Sequence, residues 1–343
     1  MDEALAVALI TVARSLAEDH RYGDAAKLLE RNDFIDFLRA SDHEDASEVG
    51  NQLAWWLAWS GHYGDALSLY DRLLTRAMST PRRRQIQARR AHVLGMSSAD
   101  GATSRLARDA FAELAEEMAS DRSADERLEF SVLRQHARWV GTSGDPGQAL
   151  RLLQQLEEDW AAKADRNERE WMLLQSNLAY FLSRSGNASV EEYEGIAVRY
   201  RRLAEMRERV LGATDPDTLD ARRNAVWFSF WSEPVRGLMN ARELETDALK
   251  ILPAGHPYLI AIMLDVAVFA ARGSQVSIAQ EHLARIRQDL RSCRDQASAL
   301  SEYGDAQPVE SRFEEIRECL RLADAETDLA VLDELGRILT SGQ

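Results

Sequence analysis

The sequence predicts an all-α protein. It reads as an α-solenoid of about seven helical hairpins over residues 1–290, followed by a C-terminal helical cap or tail over residues 291–343. Three observations carry the prediction. Small residues recur at Ala25, Ala66, Ala107, Ala149, Ala197, Ala241 and Ala279, at intervals of 41, 41, 42, 48, 44 and 38 residues. A second series, Ala13, Ala54, Ala91, Ala137, Ala179, Val226 and Ala267, precedes it, by 12 residues in four of the units. Seven prolines in 343 residues permit many unbroken helices, and alternating polar and apolar runs with Val, Ile and Thr are scarce, so no sheet is expected. A hairpin that cannot bury its apolar stripe alone stacks on its neighbours, and such stacks usually hold something along one face.

The first unit sets Leu9, Ala13 and Leu16 against Tyr22, Ala25 and Leu29. The second is clearest. Leu53, Ala54 and Leu57 make one stripe, and Ala66, Leu69, Tyr70 and Leu73 the other. Between them runs Ser60-Gly61-His62-Tyr63-Gly64-Asp65, where glycine turns the backbone without a Cβ clash. Ala54 and Ala66 are small where the two helices cross, and large residues fill the space to the next hairpin. In the third unit the turn is read as Gly95 to Thr103, which leaves the register around Ala91 open by one helical turn. The fourth has Leu133, Ala137 and Val140, then Gly144, Ala149, Leu153 and Leu156. The fifth has a lengthened loop from Ser183 to Val190. The seventh has Leu264, Ala267, Gly273, Ala279 and Leu283. Glu310 to Ile338, with Phe313, Ile316, Leu320, Leu329, Leu332 and Leu335, is expected to cap the last hairpin; docking onto a partner is the other use.

Gly61-x-Tyr63-x-x-Ala66 and Asn177-Leu178-Ala179-Tyr180 resemble the tetratricopeptide repeat family. The closer resemblance is to the long-repeat subtype of kinesin light chains and many bacterial regulatory proteins. That subtype joins helices through an LG-x-x-HPDTL element followed by R-x-N-L-A. Here Val210-Leu211-Gly212-Ala213-Thr214-Asp215-Pro216-Asp217-Thr218-Leu219 leads to Arg222-Arg223-Asn224-Ala225, with an echo from Pro253 to Leu259. Proline cannot continue the preceding helix but fits the first turn of the next. Asp215 and Val226 depart from the family's histidine and alanine. The resemblance covers about residues 4 to 290 and implies a right-handed solenoid.

A net charge of −15 disfavours nonspecific binding to nucleic acid or an anionic membrane, where counterion release needs clustered cations. Two arginine runs stand out: Arg82, Arg83, Arg84, Arg89 and Arg90, then Arg199, Arg201, Arg202, Arg207 and Arg209. They read as solvated helix faces or as local patches for an acidic peptide or phosphate. Cys293 and Cys319 lack metal-like spacing and are expected to be reduced thiols. Met1-Asp2-Glu3 has no basic leader, and the apolar run Tyr258 to Ala271 contains Asp265 and is too short to span a bilayer. A cytoplasmic protein is expected.

In the resembled family the first helix of each hairpin lines the concave wall. Residues two before, one after and five after the small residue then face the groove. Two before gives Gln52, Arg89, Gln135, Asn177, Asn224 and Asp265. The asparagines resemble the family's peptide-clamping ladder, since an amide both donates to and accepts from a peptide bond; capping or bridging of helices is the other reading. One and five after gives Trp55 with Trp59, Arg138 with Thr142, Tyr180 with Arg184, and Trp227 with Trp231. Each tryptophan pair is spaced i, i+4 and shares a helical face, offering rigid apolar anchors, or else packing between repeats. Trp56 and Phe228 fall on other faces, as core. Arg134, Arg138, Arg184 and Arg223 would ring the groove, suiting an aromatic or apolar ligand with a carboxylate.

No phosphate-binding glycine loop, Gly-x-Ser-x-Gly elbow, histidine pair at ligand spacing or basic recognition helix occurs. No cofactor and no metal are expected. The sequence is therefore read as a non-catalytic scaffold whose groove takes a peptide or helix of a partner protein. Alternatives are a sensor of a small molecule or peptide pheromone that tightens on binding, and an enzyme whose site assembles in the groove from His92, Tyr180 and Arg138. Homo-oligomerisation through an end repeat stays open.

Overall fold

The computed structural model describes residues 3–18, 22–29, 44–59, 61–76, 78–97, 101–121, 125–161, 168–184, 189–252 and 257–292. Among these are fourteen helices in consecutive pairs and no strand. The chain divides into two compact units, residues 1–170 and 171–343.

The first unit holds four hairpins: α1 (Glu3–Glu18) with α2 (Tyr22–Leu29), α3 (Glu44–Trp59) with α4 (Tyr63–Leu74), α5 (Thr80–Met96) with α6 (Ala102–Ala119), and α7 (Glu126–Thr142) with α8 (Pro146–Ala161). Each helix packs on the next, and the first helices also touch one another, α3 on α5 and α5 on α7. In the second unit lie α9 (Glu168–Arg184, whose first three residues belong to the first unit), α10 (Val190–Leu211), α11 (Pro216–Ser232), α12 (Pro234–Ile251), α13 (Pro257–Arg272) and α14 (Val276–Ser292). From α10 onward each packs on its successor, and α11 also meets α13. This is a stack of tetratricopeptide-like hairpins.

The two alanine series are the crossings. All of their members except Val226 are buried, none more than 3 % exposed. Ala91 is among them, which settles the register of the third hairpin. Gly95 does not open a turn as the sequence suggested: α5 stays helical to Met96, and a Cβ on Gly95 would run into the Trp139 indole of α7. In the sixth hairpin Val226 is only half-buried, and Ala225 at 4 % exposure points inward beside it.

Three turns share one geometry. The amides of His62, Asp145 and Gln275 donate to the carbonyls of Leu57, Val140 and Ala270 at 2.8, 3.2 and 2.8 Å. Such a bond needs a left-handed residue seven positions after the small one. Gly61 and Gly144 supply it at φ 84° and 122°, but in the last hairpin it is Ser274 at φ 58°, not Gly273. Helix starts are equally local. The Ser189 and Glu192 side chains and backbones cap α10 reciprocally. The Asp215 carboxylate accepts from the Asp217 amide at 2.9 Å, with Pro216 in the first turn of α11, so aspartate serves as the cap where the resembled element has histidine.

One core runs from Met172 to Ile286 through the second unit, and its centre is α13, where every residue from Tyr258 to Ala271 is buried. The expected tail, Glu310 to Ile338, and both cysteines lie outside the described residues, as does part of the Pro253–Leu259 echo. Because a serine in the left-handed region costs about 1 kcal/mol that glycine avoids, Ser274→Gly is expected to raise stability by up to about that amount, read as a higher denaturation midpoint. Gly61→Ala is expected to lower it by about 1 kcal/mol in the same assay.

Candidate functional site

In the first unit the groove positions of α3, α5 and α7 come together. Gln52, Trp55, Trp59, Gln135 and Arg138 are all half-buried, with one side open. Trp55 and Trp59 meet edge to face, ring centroids 5.7 Å apart. Gln52 is already engaged: its oxygen accepts from Arg14 at 3.0 Å and its nitrogen donates to Glu48 at 2.9 Å, and Glu48 in turn holds Arg82. This amide ties three successive first helices together.

Two residues absent from the central expectation join them. His92, one after Ala91, lies 5.5 Å from Trp55 and 5.7 Å from Trp139. Trp139 follows Arg138 and slots onto Gly95. The signal for His92 was in the repeat register, once Ala91 is fixed; nothing in the register pointed to Trp139. Burial first, then the Arg138 and Arg134 guanidiniums, push the His92 imidazole down to about 3, against a hydrogen bond with Gln135. The ring is neutral at ordinary pH. Arg89, two before Ala91, lies over the Trp55 ring at 5.5 Å, and Arg138 over Trp139 at 5.8 Å.

Arg134 does not face this surface. It is 3 % exposed and grips Glu170 through Nε and Nη2 at 3.2 and 3.1 Å. The reason is register: three before the small residue points between helices.

In the second unit the expected residues separate. Asn177, Tyr180 and Trp231 are half-buried and Arg184 is exposed, with Arg184 over the Tyr180 ring at 5.2 Å and Arg272 over Trp231 at 4.3 Å. The Asn177 Nδ2 has no hydrogen-bond partner. Asn224, Trp227 and Arg223 are taken into the interior instead. Trp227 is 4 % exposed and packs on Phe269 at 5.3 Å and Trp231 at 6.1 Å. Asn224 is fully buried and donates to Asp220 at 3.2 Å. Arg223 meets Asp265 at 2.6 Å, both side chains under 5 % exposed. Burial lifts the Asp265 carboxyl to about 6 despite Arg223 beside it. Burial also works against the Arg223 charge, but Asp265 and Asp220 outweigh it. The cause is α13, which packs against α11 and sets Phe269 on Trp227 and Asp265 on Arg223.

The arginine runs are mostly spent within the chain. Arg84 holds Glu117 and Asp121 at 2.8 and 2.9 Å, Arg90 holds Asp71 at 2.6 Å, Arg199 donates to Gln175 at 2.8 Å and Arg207 to the Asp217 carbonyl at 2.6 Å. Among the described residues no group of His, Cys, Asp and Glu could hold a metal ion, and no helix is long and apolar enough to cross a membrane.

No protein-family model and no curated protein gives a significant match to the sequence. Solved structures do match. A Rap protein complexed with competence and sporulation factor is similar over 100 % of both chains, at 11 % identity and a TM-score of 0.55. The apo form of RapI is similar over 98 % of this chain and 97 % of its own, at 10 % identity and 0.53. A kinesin light chain from Podosopora anserina with nearly identical tetratricopeptide-like repeats covers 64 % of this chain and 99 % of its own, at 18 % identity and 0.53. At such identities the likeness is one of fold.

The unfolded chain protonates His92 near pH 6.5, the native chain only near 3. Protons therefore favour unfolding as pH falls through that window. Relative to His92→Phe, the wild type is expected to lose up to about 1.4 kcal/mol of stability per pH unit between about pH 6 and about pH 4, measured by denaturant titration at each pH.

Proposed function

We propose that the chain is a non-catalytic binding scaffold that takes an extended peptide or a helix of a partner protein along the first helices of its hairpins. The observation that carries this is the half-buried set Trp55 and Trp59 on α3 and Gln135 and Arg138 on α7, linked through His92 of α5. Rigid indoles supply contact area at low entropic cost, and amides match the donors and acceptors of a peptide backbone. In the second unit Asn177, Tyr180, Arg184 and Trp231 would take the same role. Arg223, Asn224 and Trp227 would support the interior beneath them.

A second reading is a sensor of a peptide pheromone or small molecule. It is supported by likeness over the whole chain to a Rap protein whose structure holds competence and sporulation factor. On this reading ligand binding changes the curvature of the stack, and the chain works in a bacterial regulatory system in the cytoplasm.

A peptide panel screened against the full chain by fluorescence anisotropy tests the first reading. Trp55→Ala with Trp59→Ala, and separately Trp231→Ala with Asn177→Ala, are expected to weaken the best peptide at least tenfold while leaving helical circular dichroism unchanged. Affinity unchanged in both pairs would refute it. A fall in radius of gyration by small-angle scattering on adding that peptide would favour the sensor; no change would favour the passive scaffold.

A further inference from the structure

The sixth and seventh hairpins are joined twice. Between their first helices, α11 and α13, runs the Arg223–Asp265 pair, whose guanidinium keeps its charge at any ordinary pH. Between their second helices, α12 and α14, the joint is a histidine. His282 Nε2 lies 2.9 Å from Glu245 Oε2, and both side chains are only 10 % exposed. Neither residue belongs to the candidate site.

Both ring nitrogens of His282 face oxygen. Nδ1 lies 2.8 Å from the carbonyl of Ile278, one turn back in α14. A carbonyl only accepts, so Nδ1 carries a proton and donates it. The Glu245 carboxylate accepts too, so Nε2 must donate as well. That carboxylate faces a second cation, with Arg285 Nη1 at 3.7 Å from Oε1. Two donors on one imidazole make an imidazolium. A neutral ring, in either tautomer, would set its lone pair against an oxygen lone pair where little water reaches.

The charges around the ring agree with this. Among the described residues Glu245 faces it from α12 and Glu281 from its own helix, both negative, while Arg285 of α14 reaches the same Glu245 carboxylate. α13 packs against α14, and the one charged side chain of its Tyr258–Ala271 run, Asp265, is held by Arg223. Burial works against a charge on the ring. The bonds to Glu245 and Ile278 and the Glu245 and Glu281 charges outweigh it and hold the imidazole above its ordinary value.

We propose that α14 is locked to α12 by a proton: doubly protonated His282 grips Glu245, and as pH rises the ring lets go and the seventh hairpin loosens. Below pH 6.5 the folded and unfolded chains both bind this proton, and the tie contributes in full. It is lost as pH rises from there through the higher folded value.

Glu245→Gln separates the proton from the packing. An amide serves either form of the ring, since its oxygen accepts from an imidazolium and its N–H donates to a neutral Nε2. Wild type and variant are compared by denaturant titration between about pH 6.5 and about pH 9. The wild-type midpoint is expected to fall relative to that of Glu245→Gln as pH rises. Groups that titrate in both chains, Asp265 among them, cancel in the comparison. Parallel profiles would overturn the proposal. Two readouts on the wild-type chain need no variant to fold. The His282 Cε1–H resonance is expected to titrate with a midpoint above 6.5, and a midpoint at or below that value would overturn the proposal. Amide hydrogen exchange, corrected for its intrinsic pH dependence, is expected to lose protection in α14 relative to α3 over the same range; an unchanged ratio would overturn it as well.

Discussion

Two helices cross closely only where neither carries bulk, and in this protein that place is marked by a pair of alanines in nearly every hairpin. A methyl side chain lets the backbones approach, and the large residues on either side then fill the angle between successive hairpins. Once the small residue of a first helix is pinned against its partner, the rest of that helix has no rotational freedom left. Positions two before and one after fall together on another side. The grouping of Trp55, His92 and Arg138 on one face of the first unit follows from Ala54, Ala91 and Ala137 being buried.

The same constraint says why the fold was legible and the site only partly so. Small residues that recur every 38 to 48 positions are visible in a sequence, and the register they imply held through the third hairpin. Local devices were legible too, such as Pro216 at a helix start and the glycines at 61 and 144. What could not be read is the depth of each helix. Hairpin periodicity gives the direction in which Arg223, Asn224 and Trp227 point, but not whether that side is open. That depends on α13, the next first helix, whose apolar run, broken only by Asp265, closes on α11. A hydrophobic run buried on all sides looks in sequence like one buried on a single side with apolar neighbours. Trp139 was hidden for a different reason: its seat exists only because Gly95 of the preceding first helix lacks a side chain.

Electrostatics divides along the same line. Buried arginines in this chain are tied to oxygen, as a low-dielectric interior requires. The pair Arg223 and Asp265 fastens α11 to α13, Asp265 being the one charged side chain of the Tyr258–Ala271 run. Two cations in the first unit rest on indoles instead. Cation–π contact compensates a charge less well than a carboxylate does, and it leaves the guanidinium edge with its directional donors unused.

α13 also sets how the second unit comes apart. In a stack where every layer touches only its neighbours, melting proceeds by increments, and an end layer is lost at modest cost. α13 is buried on every side, and its fourteen consecutive buried residues, Tyr258 to Ala271, lie against α11, α12 and α14. Loss of any one of those helices would wet part of that run. The helices α11 to α14 are thereby expected to melt together, as the core of an ordinary globule does.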